Sequence, residues 1–161
     1  MKASTGSDHP HMVLQDLTSG HVNPSVMDIK IGSRTWGLKA SEAYFAKCLK
    51  KDRESTSIPL GFRISGLQVY VDDESGFYKP DRNYIRKTGP NDVRLLLRSF
   101  GLALKGAWSN AEVKLIDFAH VTDGNGVIDH NFLGGLCSLI KFISDILAET
   151  KDYGSNDQVE L

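Results

Sequence analysis

Two short runs carry the residue types and spacings that could do chemistry. Pro24-Ser25-Val26-Met27-Asp28-Ile29-Lys30-Ile31-Gly32 has the form P-x-x-x-D-x-K-x-G, and Leu115-Ile116-Asp117-Phe118-Ala119-His120 sets a carboxylate and a histidine at the end of an apolar stretch. Two carboxylates and a lysine, each on a short apolar run, are the parts that hold a nucleotide, a magnesium ion and a phosphorylated acceptor. A lysine suits that work because a point positive charge can follow phosphate oxygens as charge migrates during transfer. A third set lies between the two runs. Lys47, Lys50 and Lys51 are three and four residues apart, so in a helix they share one face. From Lys30 to Arg63 there are eight basic residues (Lys30, Arg34, Lys39, Lys47, Lys50, Lys51, Arg53 and Arg63) against three acidic ones. Such a patch suits nucleic acid, anionic lipid or a polyphosphate, or is a solvated helix face. Aromatic residues that would stack bases are sparse here, which makes nucleic acid the weaker partner.

The surrounding pattern predicts the elements that position these groups. Met12 to Leu17 is a short apolar segment read as a strand running into a connector. Val26 to Ile31 alternates with period two, placing Asp28 and Lys30 on one face and Met27, Ile29 and Ile31 on the other. A helix is expected from Ser41, its N-cap, to Lys51, with Tyr44, Phe45, Cys48 and Leu49 on the apolar side. Arg63 to Val71 reads as a strand with a bulge or close approach at Gly66, and residues 72–90 read as a polar loop. Asn91 caps a short expected helix, Asp92 to Phe100, and Val113 to Ala119 is a candidate buried strand. The longest helix is expected over Asn131 to Ala148, with a core stripe of Leu133, Leu136, Cys137, Ile140, Ile143 and Leu147. Strands and helices mix irregularly, so the fold class is α+β. Residues 1–11 read as a disordered leader and 150–161 as a disordered tail around one domain, 12–149.

Composition narrows the function classes. A chain of 161 residues with 40% hydrophobic and 24% charged content reads as one soluble, globular domain. The sequence reading finds no apolar run approaching the roughly 20 residues of a membrane span. Cys48 and Cys137 sit in apolar helical patterns, as reduced buried thiols do, and neither has a second ligand at zinc spacing. The run Asp123-Gly124-Asn125-Gly126-Val127-Ile128-Asp129 superficially matches a calcium loop. An EF-hand needs glycine at loop position six and glutamate at position twelve, which are Ile128 and Gly134 here, so this is read as a glycine-rich turn.

The first run, continued by Ser33-Arg34-Thr35-Trp36, resembles the signature of the inositol polyphosphate kinase family, with all four fixed positions present. The run ending Asp117-Phe118-Ala119-His120 resembles the family's metal-binding strand end on its multikinase branch, and DGNGVIDHNFLGGL is similar to plant members. The resemblance implies the C-terminal-lobe portion of the family fold: a small antiparallel sheet, an inositol-binding helix and a packed C-terminal helix. It implies ATP and Mg2+ as cofactors, with inositol tris- and tetrakisphosphate as substrates on the way to pentakisphosphate. It places Asp28 near the ATP ribose, Lys30 near the transferred phosphate and the inositol phosphates, and Asp117 on magnesium. His120 would lie by the acceptor hydroxyl, to orient it or shuttle its proton. Lys47, Lys50 and Lys51 would bind substrate phosphates. Leu14-Gln15-Asp16-Leu17 resembles the hinge, whose backbone at Gln15 and Leu17 would bond adenine.

Three departures from the family pattern bear on activity. Only eleven residues precede Met12, where the family has an N-terminal lobe with a phosphate-gripping lysine. Twelve residues, Gly101 to Glu112, stand where the family has a long stretch with a further strand. Ala46 and Lys47 replace the glutamine of some multikinases, so substrate preference does not transfer. Three expectations stay open: a working kinase, a non-catalytic module that binds inositol phosphates or phosphoinositide headgroups, and a fragment without a stable fold. The resemblance further implies nuclear and cytoplasmic residence. The residues themselves suggest no nucleic-acid partner and no transmembrane segment, and the oligomeric state is left open with a monomer expected.

Overall fold

The computed structural model describes residues 13–37, 40–103, 111–118 and 121–154. The expected leader and residues 155–161 of the expected tail lie outside them. The chain forms a three-stranded antiparallel sheet in sequence order, β1 (Val26–Ile31), β2 (Phe62–Asp72) and β3 (Gly76–Tyr78). Helices α1 (Glu42–Arg53) and α2 (Ser57–Leu60) connect β1 to β2, and α3 (Arg82–Arg86), α4 (Pro90–Ala103) and α5 (His130–Gly154) follow β3.

The long central strand explains most of the core. Phe62 and Ile64 point inward with period two, and β2 then inserts Ser65 as an extra residue, since Asp28 faces Gly66 while Ile29 faces Ile64. That bulge resets the parity, so Leu67 and Val69 again point inward. Ile85 of α3 and Val93 and Leu96 of α4 complete the buried cluster. Met27, Ile29 and Ile31 pack against it from β1, and Leu139 and Phe142 pack against it from α5. The alternation expected for 26–31 is therefore the observed one. The rings of Phe62 and Phe142 meet edge to face, with centroids 5.8 Å apart.

Local chemistry sets the element ends. Ser41 caps α1, and Asp81 caps α3 by accepting from the amides of Asn83 and Tyr84 at 2.8 and 3.3 Å. Pro90 opens α4, its missing N–H being an orphan donor in any case. The Asp92 side chain accepts from the Gly89 amide at 2.8 Å, and Asp129 accepts from the amides of Asn131 and Phe132 at the start of α5. The β2–β3 hairpin turns on Asp72, whose carboxylate accepts from the amides of Glu74 and Ser75 at 3.0 and 2.6 Å. Those bonds, led by Ser75, hold the Asp72 carboxyl below its ordinary range.

Several expectations meet a different structure. The segment 72–90, read as a loop, holds β3 and α3. The segment from Val13 to Leu17 forms no strand; it is exposed and ends in a turn nucleated by Asp16, which accepts from the Thr18 amide and hydroxyl at 2.8 Å. Residues 113–118 form no buried strand either, and Val113 is 96% exposed. The backbone at Asp117 is left-handed, φ +67°, which no strand continues through. The expected core stripe of α5 is largely the exposed one, and Cys137 is exposed while Cys48 is buried. The last helix also runs on to Gly154, beyond its expected end at Ala148.

Candidate functional site

β1 turns Asp28 and Lys30 to the face opposite the core, with Asp28 half-buried and Lys30 exposed. Side chains tie the entry of β1 to β2, Gln68 Nε2 donating to the Pro24 carbonyl and the Tyr70 amide to Ser25 Oγ, each at 3.0 Å. Across from Asp28 stands Gly66, and a Cβ there would lie 3.6 Å from the Asp28 Cβ. A side chain at Gly66 would occupy space beside the carboxylate, at the edge of a cleft of about 410 Å³. Pro24, Val26 and Asp28 line one part of the cleft, Gly66 and Gln68 another, and Lys79 and Arg82 a third.

The turn that follows Lys30 is held from both sides. Gly32 has φ +109° and donates its amide to Gly61 O at 2.7 Å. A Cβ at Gly32 would overlap the Asn131 amide group, so the closing glycine of the signature is required by packing and by backbone conformation alike. Asn131, near the start of α5, accepts from Ser33 Oγ at 3.1 Å and from the Arg34 amide at 3.0 Å, and donates to Arg34 O at 2.9 Å. On the α1 side, the Thr35 amide and hydroxyl donate to Asp52 at 3.1 and 2.8 Å. The Arg34 guanidinium lies 5.1 Å from the Trp36 ring centroid, and Trp36 meets Phe45 of α1 edge to face.

The cation-rich stretch divides on folding. Arg63 is buried and its guanidinium donates to Asp52 at 2.7 Å and to Ser57 Oγ at 2.7 Å. It is neutralised inside the fold and leaves the basic patch counted from sequence. Lys47 and Lys50 stay exposed on α1, and Lys51 is half-buried. Lys50 approaches Glu54 at 3.8 Å, an exposed pair of the weakest kind. Among the described residues Lys30, Lys47 and Lys51 have no ion-pair partner.

The other described candidate residues do not line the cleft. Asp117 is exposed and is not among the residues lining it. The Tyr44 hydroxyl of α1 has its pKa raised, chiefly by a hydrogen bond and charge interaction with Cys48, with burial and then the Asp117 charge adding to the rise. Asp117 has no ion-pair partner among the described residues, so its oxygens are open to a hard cation such as magnesium. Among those residues no three His, Cys, Asp or Glu groups gather as a metal cage. Magnesium at such a place would lean on phosphate oxygens and water, which is its habit. Gln15 and Leu17 are exposed on the Asp16 turn, and Thr18 beside them reaches the cleft. His120 lies outside the described residues.

Sequence reasoning missed Lys79, Arg82, Asp52 and Asn131. Gly66 had been marked, and a hairpin read at Asp72–Gly76 would have brought Lys79 back beside Gln68. No sequence signal distinguishes the buried Asp52–Arg63 pair from surface charges.

A family model described as inositol polyphosphate kinase matches residues 11–107 and 102–144. Inositol polyphosphate multikinase beta of Arabidopsis thaliana is 38% identical over 221 aligned residues, covering 98% of this chain and 74% of that protein. The alignment is longer than the chain, so that relative carries residues inside the matched span with no counterpart here, and the family match comes as two stretches that overlap at 102–107. A solved inositol phosphate multikinase from a structural and protein-engineering study superposes with a TM-score of 0.73 at 43% identity, covering 84% of this chain and 85% of that one. The S. cerevisiae inositol phosphate multikinase crystallised with ADP and Mn2+ shares the fold, with a TM-score of 0.62 at 17% identity over 82% of each chain.

Proposed function

The chain belongs to the inositol polyphosphate kinase family, on its multikinase side, and from that premise we propose that it transfers a phosphoryl group from ATP, with magnesium, to inositol tris- and tetrakisphosphate. The observation that carries this reading is the Asp28–Lys30 face. It presents a carboxylate in a cleft and, beside it, a lysine without an ion-pair partner among the described residues, on a strand whose exit is fixed by Gly61, Asn131 and Asp52. In this reading Asp28 accepts hydrogen bonds from ribose hydroxyls, and Lys30 stays on the phosphoryl oxygens as their charge grows. Lys47, Lys50 and Lys51 hold the acceptor's phosphates. The hinge backbone at Gln15 and Leu17 meets adenine, and His120 orients the acceptor hydroxyl or takes its proton. Asp117 holds magnesium, which when bound neutralises the nucleotide phosphates.

A second reading draws on Asp117 itself. The segment carrying it forms no strand, and Asp117 does not line the Asp28 cleft. A chain arranged this way would keep the lysine face and bind inositol phosphates or phosphoinositide headgroups without turnover, because transfer depends on positioning the metal against the nucleotide.

Incubation with magnesium-ATP and inositol 1,4,5-trisphosphate, followed by anion-exchange separation, decides between them. The kinase reading expects tetrakis- or pentakisphosphate, with its loss in Lys30→Ala and Asp117→Ala. Both side chains are exposed and without ion pairs among the described residues, so each variant should keep its unfolding free energy within about 0.5 kcal/mol. No product from wild type, together with retained binding of inositol hexakisphosphate, establishes the second reading.

A further inference from the structure

Lys79 and Arg82 line the cleft beside Gly66, and no role described above uses them. They come from the connector between β3 and α3, the stretch first read as featureless loop. In the β2–β3 register Val69 pairs with Tyr78, and the next step places Lys79 beside Gln68, which itself pairs with Val26 of β1. Two strand spacings, roughly 10 Å, separate that position from Val26 across the sheet. Asp28 lies two residues further along β1, so the carboxylate and the two cations border one opening. Among the described residues neither cation has an ion-pair partner. Lys79 Nζ is held 5.5 Å from the Phe77 ring centroid, which limits where the ammonium points. Asp81 between them forms no ion pair with either cation among the described residues and caps α3 by accepting from the amides of Asn83 and Tyr84.

A cleft lined by one carboxylate and two cations suits a ligand with hydroxyl donors at one end and anionic oxygens at the other. We infer that Lys79 and Arg82 form a phosphate-anchoring pair for a phosphorylated polyol whose hydroxyl groups are taken by Asp28. Arg82 offers a planar fork matched to two phosphate oxygens, and Lys79 offers a mobile point charge. Gly66 is the specificity element, because any side chain there fills the space beside Asp28. The inference deepens the proposed function, on which its choice of ligand class rests. Two sources share the chemistry: a nucleotide, through ribose and phosphates, and an inositol polyphosphate.

Calorimetric titration of the full chain with ADP and, separately, with inositol hexakisphosphate tests the pair without requiring turnover. The Lys79→Met/Arg82→Met variant should lose affinity for one of the two ligands by about ten-fold or more, and the affected ligand identifies the source. Gly66→Val should weaken the same ligand, since its backbone is ordinary and its Cβ contact of 3.6 Å is unstrained. Lys87→Met, which removes one charge outside the cleft, should leave both affinities unchanged, and the melting temperature of every variant should match wild type. Wild-type affinity for both ligands in the double variant overturns the inference, as does an equal loss in Lys87→Met or a wild type that binds neither ligand. Turnover by wild type with an unaffected double variant removes the pair and leaves the kinase reading. Binding that depends on the pair without turnover removes the kinase reading and leaves the pair.

Discussion

Asp52 shows how one residue can couple the signature strand to the helix beside it. Its side chain is 1% exposed at the end of α1, and it accepts from the Thr35 amide, the Thr35 hydroxyl and Arg63. A buried ion pair is seldom a large net stabiliser, since desolvation offsets most of the attraction, but removing one member leaves the other charge stranded. Asp52→Ala should therefore cost about 3–5 kcal/mol by urea denaturation. The Asp52→Ala/Arg63→Met double variant should regain a large part of that loss, and additive losses would show that the two charges are not coupled. Thr35→Val, which removes only the hydroxyl, should cost about 1 kcal/mol. The same network explains why counting charges along the sequence overstated the anion-binding patch. Arg63 looks like its neighbours in one dimension and is consumed by Asp52 in three.

Among the elements, α5 and the β1–β2 end meet backbone to backbone. A Cβ on Gly135 would overlap Gly61 O and crowd the Gly32 amide, whereas a Cβ on Gly134 would meet nothing within 4 Å. Both residues sit in the same helical turn, so the pair separates helix propensity from packing. Gly134→Ala should stabilise the chain by up to about 1 kcal/mol, the ordinary gain of alanine over glycine in a helix. Gly135→Ala should destabilise by about 1–3 kcal/mol despite that gain, because it forces the helix off the turn that follows Lys30. Paired thermal melts read the two signs, and equal shifts would refute the close approach. Elements with strong periodicity were legible in the sequence: β1 matches its expected bounds, and α1 exceeds its expected 41–51 only at its far end. The hairpin and α3 were not, because three strand residues and a single capped turn fall below any periodic signal. Residues 113–118 misled in the opposite direction. Their apolar composition encodes a strand, but a strand forms only where a neighbour completes its hydrogen bonds, and none of the described residues does so. Of the site, the signature residues were legible and the cleft was not, since residues distant in sequence line it.

At the scale of the whole molecule, α5 is apolar on more sides than the described residues cover. Leu139, Phe142 and Ile146 face the sheet and α4, where Arg94 bonds Glu149 at 2.6 Å and lies 4.9 Å from the Phe142 ring centroid. Leu133, Ile140, Ile143 and Leu147 are exposed, Ile140 by 56%. Helix α5 is long and apolar enough over His130–Glu149 to cross a membrane by length and composition, which the sequence reading had not expected. Among the described residues only one of its faces is packed, and Lys141 and Asp145 form an exposed ion pair at 3.0 Å one turn apart. The Arabidopsis relative carries additional residues inside the matched span, and the two stretches of the family match meet at 102–107, ahead of the segment that forms no strand. Among the described residues the α5 stripe stays exposed and residues 113–118 pair with no strand. The two faces of α5 should therefore answer substitution differently. Ile146→Ala removes a buried side chain and should cost about 2–5 kcal/mol in urea denaturation. Ile140→Lys should change stability by no more than about 0.5 kcal/mol, because the side chain already faces water. The lysine should also reduce concentration-dependent light scattering, since a contiguous exposed apolar patch is what drives association. If Ile140→Lys destabilises as much as Ile146→Ala, the stripe is covered in solution, and α5 is a helix packed on both sides.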